Sequence, residues 1–460
     1  MLHPRLLKIV PLFLCLLSLV GAVADAKPSM TSSDQFIRNL DELSALWSFY
    51  RQTYIRQGRV ISLDEQCVTT SEGQAYGMLR AVWSNDRKTF EEVWRWTQRN
   101  LQVRNDKLFA WRWKGKVLSS NAATDADTDI ALALVLASRR FDDARYEQEA
   151  LAILYSIWDL EILHLGSGSY VTGGNWAAAE DYPTIHVAYL APYAYEVFAS
   201  VDLQHDWRRV VDSSYALLHW LYDEEHVVLP PELVYLDKTQ GRFLLTHPRS
   251  GQASVFGYDA VPLFWRVALD AQWFGRSEAV LRGKMLDFFW SEWKTRGRFL
   301  DRYTLKGEPL SAMEMLPLYA TVHALAVQNH PELARRLAEV KLPLLHANAL
   351  AGKATPYYLH NWLWFARATE LQQVRRYDEY FAFLRPFDFV GFSAHIPWEL
   401  ITVTLLLFLV AQWHWVLKLA FLACGLGLCL RYLDWRIHET MNWVEVGGPF
   451  ISLSLWFAEL

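Results

Sequence analysis

The chain has 460 residues, a formal net charge of −5 and a pI near 6.3, which leaves nucleic acid no basic face to bind. A hydrophobic fraction of 52% and an aromatic fraction of 15% exclude a disordered chain and suffice for a large core. The 22 Trp suit a neutral partner that stacks on aromatic faces, such as a sugar chain, although core filling accounts for most of them.

In chain order, Arg5 and Lys8 precede an apolar run over 9–23, and Ala24-Asp25-Ala26 follows. A positive start, a short apolar segment and small residues predict a secretory signal over 1–26 cleaved after Ala26, with an uncleaved anchor as the alternative. From 27 to 370 the pattern reads as helix after helix, with starts near Asp34, Gln74, Asp86, Asp125, Asp143, His186, Gln204, Asp259, Ser277, Ser311, Pro331 and His360. Strand-like alternation is confined to Val227-Val228-Leu229 and Phe243-Leu244-Leu245. With no repeat at a fixed period, the expectation is an all-α domain of paired helices closing into a ring rather than a solenoid. Cys67 alone lies in the polar body of the chain, so no disulfide is expected within this domain.

The segment 371–397 mixes charges with Phe, as a juxtamembrane connector does. Residues 398–460 read as a transmembrane region, because 401–430 is apolar apart from Gln412, His414 and Lys418. Another apolar stretch begins at Phe450 and is still running at Leu460, so a longer protein is expected.

Candidate chemistry lies where acids meet helix starts. Asp125, Asp127 and Asp129 crowd the mouth of a helix too apolar for a surface, with Thr124 or Asp125 as its expected cap. Glu72 sits in Ser71-Glu72-Gly73-Gln74-Ala75-Tyr76-Gly77-Met78, flanked by small residues that would admit a ligand. Asp259 sits in Gly257-Tyr258-Asp259-Ala260. Each acid alone is equally well read as an ordinary helix-start residue. Together they could supply the two unlike carboxyls, one protonated and one ionised, that cleavage of a glycosidic bond requires.

The run Ala123-Thr124-Asp125-Ala126-Asp127-Thr128-Asp129-Ile130-Ala131, continued through Ala137 to Phe141, resembles the signature of glycoside hydrolase family 8. The Glu72 segment, Asn121, Trp111 and Trp113, and Tyr258-Asp259-Ala260 fit the same family, and the likeness spans about residues 35–370. It implies an (α/α)6 barrel that cuts β-1,4-linked glycans with inversion and needs no metal or other cofactor. By position, Glu72 matches the proton donor, Asp125 the acid that binds the distorted sugar, and Asp259 the base that activates water. Inversion implies a gap of roughly 6.5–9.5 Å between the Glu72 and Asp259 carboxyls. Trp111 and Trp113 would be stacking platforms, with core packing as the alternative for either, and Tyr189 would hold the water. Two departures stand out: Pro262 replaces the family's usual Arg, and His186-Val187-Ala188-Tyr189 replaces its usual Asn-Pro-Ser-Tyr.

The tail carries its own likeness. Leu430-Arg431-Tyr432-Leu433-Asp434-Trp435-Arg436, Thr440-Met441-Asn442-Trp443 and Phe457-Ala458-Glu459-Leu460 resemble the membrane-entry region of bacterial cellulose synthase catalytic subunits. That likeness favours one crossing over 401–430 rather than a hairpin broken at Trp413-His414-Trp415. The combined expectation is a periplasmic endo-β-1,4-glucanase anchored to the bacterial inner membrane, with β-1,4-glucan, the membrane and a cellulose synthase complex as partners. Two alternatives are the same fold acting on xylan, chitosan or mixed-linkage glucan, and a non-catalytic subunit that guides a glycan.

Overall fold

The computed structural model describes residues 32–351 and 356–378. Its helices are α1 (Ser32–Tyr54), α2 (Ser71–Trp83), α3 (Arg87–Asn100), α4 (Thr124–Phe141), α5 (Ala144–Leu160), α6 (Pro192–Val201) and α7 (Trp207–His219). There follow α8 (Pro262–Phe274), α9 (Ala279–Arg296), α10 (Leu316–Asn329), α11 (Pro331–Val340), α12 (Leu342–Leu350) and α13 (Tyr357–Glu370).

Alternate helices pack on one another: α2 on α4, α4 on α6, α6 on α8, α8 on α10, and α10 on α13. The remaining helices form an outer layer, with α1 against α13, α3 against α2, α5 against α4 and α7 against α6. Side chains close the ring between α13 and α2. Tyr76 meets Trp362 edge-on with centroids 5.6 Å apart, and Arg80 Nη1 donates to Asn361 Oδ1 at 3.2 Å. The result is the all-α (α/α)6 barrel expected from the family likeness.

Sequence explains the two layers. Inner α4 is buried at every residue from Thr124 to Ser138, which its run of Ala, Leu, Ile and Val permits on all faces. Outer α3 buries only Thr89, Phe90, Val93, Trp94 and Thr97, one stripe at helical spacing. Asp86 and Asp143 cap α3 and α5 by accepting from backbone N–H groups in the first turn.

Short antiparallel ladders in the loops trim one rim. β1 (Ile55–Arg56) pairs with β2 (Arg59–Val60), β6 (Ile162–Leu165) pairs with β7 (Gly168–Val171), and one sheet runs β3 (Thr69–Thr70), β4 (Arg112–Trp113), β5 (Val117–Ser119). A second sheet runs β10 (Arg242–Leu244), β9 (Leu233–Asp237), β8 (Thr184–His186), with His186 opposite Leu233.

Several expectations need correction. Ala123 is the N-cap of α4 and makes no side-chain cap bond, so Thr124 and Asp125 are its first helical residues. The helix expected near His186 begins at Pro192, after β8 and a 3₁₀ turn over Val187–Tyr189. Val227-Val228-Leu229 forms no strand, whereas Phe243 and Leu244 lie in β10. Helix α12 was not expected; Pro343 in its first turn ends α11 and starts a new helix. The expected signal (1–26) and transmembrane region (398–460) lie outside the described residues, as does most of the connector. Among the described residues no helix is long and apolar enough to cross a membrane.

Candidate active site

Glu72 is in the first turn of α2. Thr70 caps that helix, its Oγ1 accepting from the Gly73 N–H at 3.0 Å. Gly73 and Gly77 serve packing, not ligand entry: a Cβ on Gly73 would lie 2.6 Å from Tyr357 Oη, and one on Gly77 2.9 Å from Val60 Cγ2. The glycines thus seat α2 against its neighbours and fix where Glu72 starts.

One turn along, Tyr76 Oη donates to Glu72 Oε1 at 2.7 Å. Burial, and after it the charge of Asp125, push the Glu72 carboxyl up to about 8, against the pull of that Tyr76 bond. Glu72 therefore carries a proton at neutral pH, and Tyr76 occupying Oε1 leaves Oε2 as the oxygen to hold it.

The acids of α4 separate by helical phase. Asp125 and Asp129, four residues apart, share a face, while Asp127 points to the other side. Asp127 Oδ1 accepts from the Phe109 N–H at 3.0 Å, and its carboxyl lies beside that of Glu161, both fully buried. Burial pushes both well above the usual carboxylate range. Asp127 thus ties the loop before β4 to α4. Asp129 pairs with Arg266 of α8 through two bonds, Nη1 to Oδ1 at 3.0 Å and Nη2 to Oδ2 at 2.7 Å. Arg266 Nη1 also donates to Tyr193 Oη at 3.0 Å.

Only Asp125 is left to face Glu72. Burial pushes it up to about 6, against the pull of the Arg266 guanidinium. Its Oδ1 is buried and receives no hydrogen bond from the described residues.

Asp259 lies in a 3₁₀ turn, Tyr258–Ala260, immediately before α8, and is exposed. Its N–H donates to Glu232 Oε1 at 3.2 Å. Pro262 is the first residue of α8, a position where its missing N–H and fixed φ carry no penalty. The guanidinium that α8 directs inward belongs to Arg266, one turn further on.

Tyr189 is half-buried and stacks on His186, with centroids 4.6 Å apart and planes at 14°. Burial, then the charges of Asp125, Glu72 and Asp259, raise its hydroxyl well above the usual tyrosine range, so it sits in the field of all three acids. Tyr358 of α13 feels the same three charges, after burial. The three acid-bearing helix starts therefore share one rim.

Trp111 and Asn121 reach that rim through the main chain. Ser71 N–H donates to Trp111 O at 3.0 Å, and Trp111 N–H to Asn121 O at 2.9 Å. Trp111 is half-buried and Asn121 exposed. Trp113 is half-buried and already packed, with the Arg59 guanidinium 4.5 Å from its ring centroid and Trp96 edge-on at 5.2 Å.

The sequence gives no role to Tyr76, Glu232, Arg266, His186 or Tyr358, although Tyr76 and His186 stand inside motifs named above. Helical spacing from Glu72 pointed to Tyr76. His186 and Arg266 lie near Tyr189 and Asp259 in sequence, whereas Glu232 and Tyr358 come from elements distant in sequence, where no local pattern marks them. Among the described residues no group of three or more His, Cys, Asp or Glu is arranged to hold a metal ion.

A helical barrel carrying carboxyl groups of unlike proton affinity on one rim is the architecture of an acid–base glycoside hydrolase. The chain belongs to family 8 of the glycosyl hydrolases, whose model matches residues 22–346. It is 33% identical over 268 residues to a probable endoglucanase of Novacetimonas hansenii, a match covering 54% of this chain and 70% of that protein. To Endoglucanase A of Acetivibrio thermocellus it is 30% identical over 255 residues, covering 53% of this chain and 50% of that one. Among solved structures, the endo-beta-1,4-glucanase CMCax from Acetobacter xylinum superposes with a TM-score of 0.58 at 22% identity, over 73% of this chain and 99% of that one. A beta-1,3-1,4-glucanase from Paenibacillus sp. X4 superposes with a TM-score of 0.64 at 19% identity, over 76% and 95%. At such identities these two structures speak to the fold alone.

Proposed function

We propose that the barrel is an endo-β-1,4-glucanase that hydrolyses its substrate with inversion. Glu72 is the proton donor: its proton goes to the glycosidic oxygen as the bond to the anomeric carbon breaks. Asp259 is the base, accepting a proton from the water that attacks that carbon from the opposite face, and Tyr189 holds the water. Asp125, ionised at neutral pH, binds a hydroxyl of the distorted sugar. Trp111, Asn121 and, less directly, Trp113 line the path of the chain. The observation that carries this reading is the contrast between Glu72, pushed up to about 8, and Asp259, exposed at the start of another helix. Endoglucanases among the sequence relatives support the choice of β-1,4-glucan.

The wider setting in this reading is an exported enzyme held at the bacterial inner membrane, trimming polymer as a cellulose synthase makes it. Its support is the sequence of residues 1–26 and 398–460 alone. Viscosity and reducing-sugar release on carboxymethylcellulose test the activity. Rapid viscosity loss, abolished by Glu72→Gln and by Asp259→Asn, is expected. Cleavage of xylan or chitosan instead would move the substrate, and binding without cleavage would make the chain a glycan guide.

A further inference from the structure

Glu232 stands immediately before β9, half-buried, and three bonds converge on it. Its N–H donates to Val255 O at 2.8 Å, and its own carbonyl accepts from the Val187 N–H at 3.2 Å. Its side-chain Oε1 accepts from the Asp259 N–H at 3.2 Å. Val187 opens the turn that ends in Tyr189, and Val255 leads into the turn that carries Asp259. One residue therefore spans the two segments assigned above to the base and to the tyrosine that holds its water.

The packing is specific to this carboxyl. A Cβ on Gly257 would lie 2.3 Å from Glu232 Oε1, so only glycine at 257 lets the side chain reach the turn. Stability alone does not account for a second carboxyl there, since like charges side by side oppose each other. Burial raises the proton affinity of Glu232, the Asp259 N–H bond and the Arg302 charge oppose that rise, and the Asp259 charge adds to it. What the fold gains is a fixed main chain at residue 259 and a fixed distance from there to Tyr189.

We propose that Glu232 is a positioning residue for hydrolysis, clamping the Asp259 turn to the Tyr189 turn so that base and water are held in register. This rests on the assignment of Asp259 as base. Loss of the side-chain bond loosens the placement of Asp259 without touching the sugar-binding surface, so the defect belongs in kcat rather than KM.

The test uses the full chain, with Glu232→Ala and Glu232→Gln compared on cellohexaose and on β-cellobiosyl fluoride. Fluoride leaves without a donated proton, so that substrate bypasses Glu72 and still needs the base. Glu232→Ala should lower kcat by about 30- to 100-fold on both substrates with KM changed by less than about threefold. Glu232→Gln, whose amide oxygen still accepts from the Asp259 N–H, should recover most of that loss. Amide exchange over 257–260 should be about tenfold faster in Glu232→Ala and unchanged in Glu232→Gln. A loss seen mainly in KM, a loss on cellohexaose but not on the fluoride, or an amide variant as poor as the alanine variant would overturn the proposal. Failure of the wild-type chain to cleave any β-glucan would instead sink the parent assignment, and amide exchange would still decide the clamp.

Discussion

Tyr76→Phe removes a single oxygen, and the structure sets the direction of its effect on the pH profile. Tyr76 is buried, with its ring edge-on to Trp362 at 5.6 Å and to Phe365 at 5.2 Å, so Phe keeps the packing. The lost group is the donor to Glu72 Oε1 at 2.7 Å. That bond is stronger to the ionised carboxylate than to the acid, so it holds the Glu72 pKa down. A short bond to an ionised group contributes roughly 1.5–2 kcal/mol, which at 1.36 kcal/mol per unit moves Glu72 upward by about 1 to 1.5 pH units. The basic limb of kcat/KM, governed by the loss of the Glu72 proton at about 8, should therefore move toward higher pH. The assay is a pH profile on cellohexaose from pH 5 to 10, with circular dichroism at each end to check folding. A basic limb that stays put or moves to lower pH, in a folded variant, would refute both the donor role of Glu72 and the part played by Tyr76.

Stability should also depend on Glu72. Its folded pKa is raised above 4.5, so it favours the folded state fully below about 4.5, and that contribution is lost as pH rises toward 8. Glu72→Gln does not titrate, so its melting temperature should match the wild type near pH 4 and exceed it by several degrees near pH 8; equal offsets at both pH values would contradict this. Arg266→Met leaves Asp129 buried without its partner and should cost about 3–5 kcal/mol in urea denaturation, with much of it regained in Arg266→Met/Asp129→Leu. If the double variant is no better than the single one, the ion pair is not what holds α4 to α8. Gly73→Ala drives a methyl against Tyr357 Oη and should destabilise by about 1–3 kcal/mol while lowering activity through the Glu72 turn. Full activity in that variant would mean the seating of α2 is not critical.

How far these features could be read from sequence depends on how local their causes are. Glu72 and Asp125 sit in first turns of inner helices, and the apolar runs behind them are contiguous, so both helix and acid were legible. Helical phase also separates Asp127 from Asp125 and Asp129, although the three read at first as one acidic cluster. What pairs with each of them was not legible, because Glu161 and Arg266 arrive on other helices. The N-cap was misplaced by one or two residues because Thr124 and Asp125 are good capping types, yet Ala123 adopts the extended conformation that ends the loop. The start expected at His186 failed because β8 and a 3₁₀ turn come first, and strand β8 exists only through its pairing with β9 far along the chain. Glu232 had no motif around it at all, since its role depends on two loops that meet only in the folded barrel.

The most direct test of the central claim is the anomeric configuration of the first product, followed by proton NMR during early hydrolysis of cellohexaose. An acid at Glu72 and a base at Asp259, with water between base and sugar, should release the α-hemiacetal first, the β form appearing only by mutarotation. Initial release of the β-hemiacetal would mean retention through a covalent intermediate, and the assignment of Asp259 as a base would be wrong.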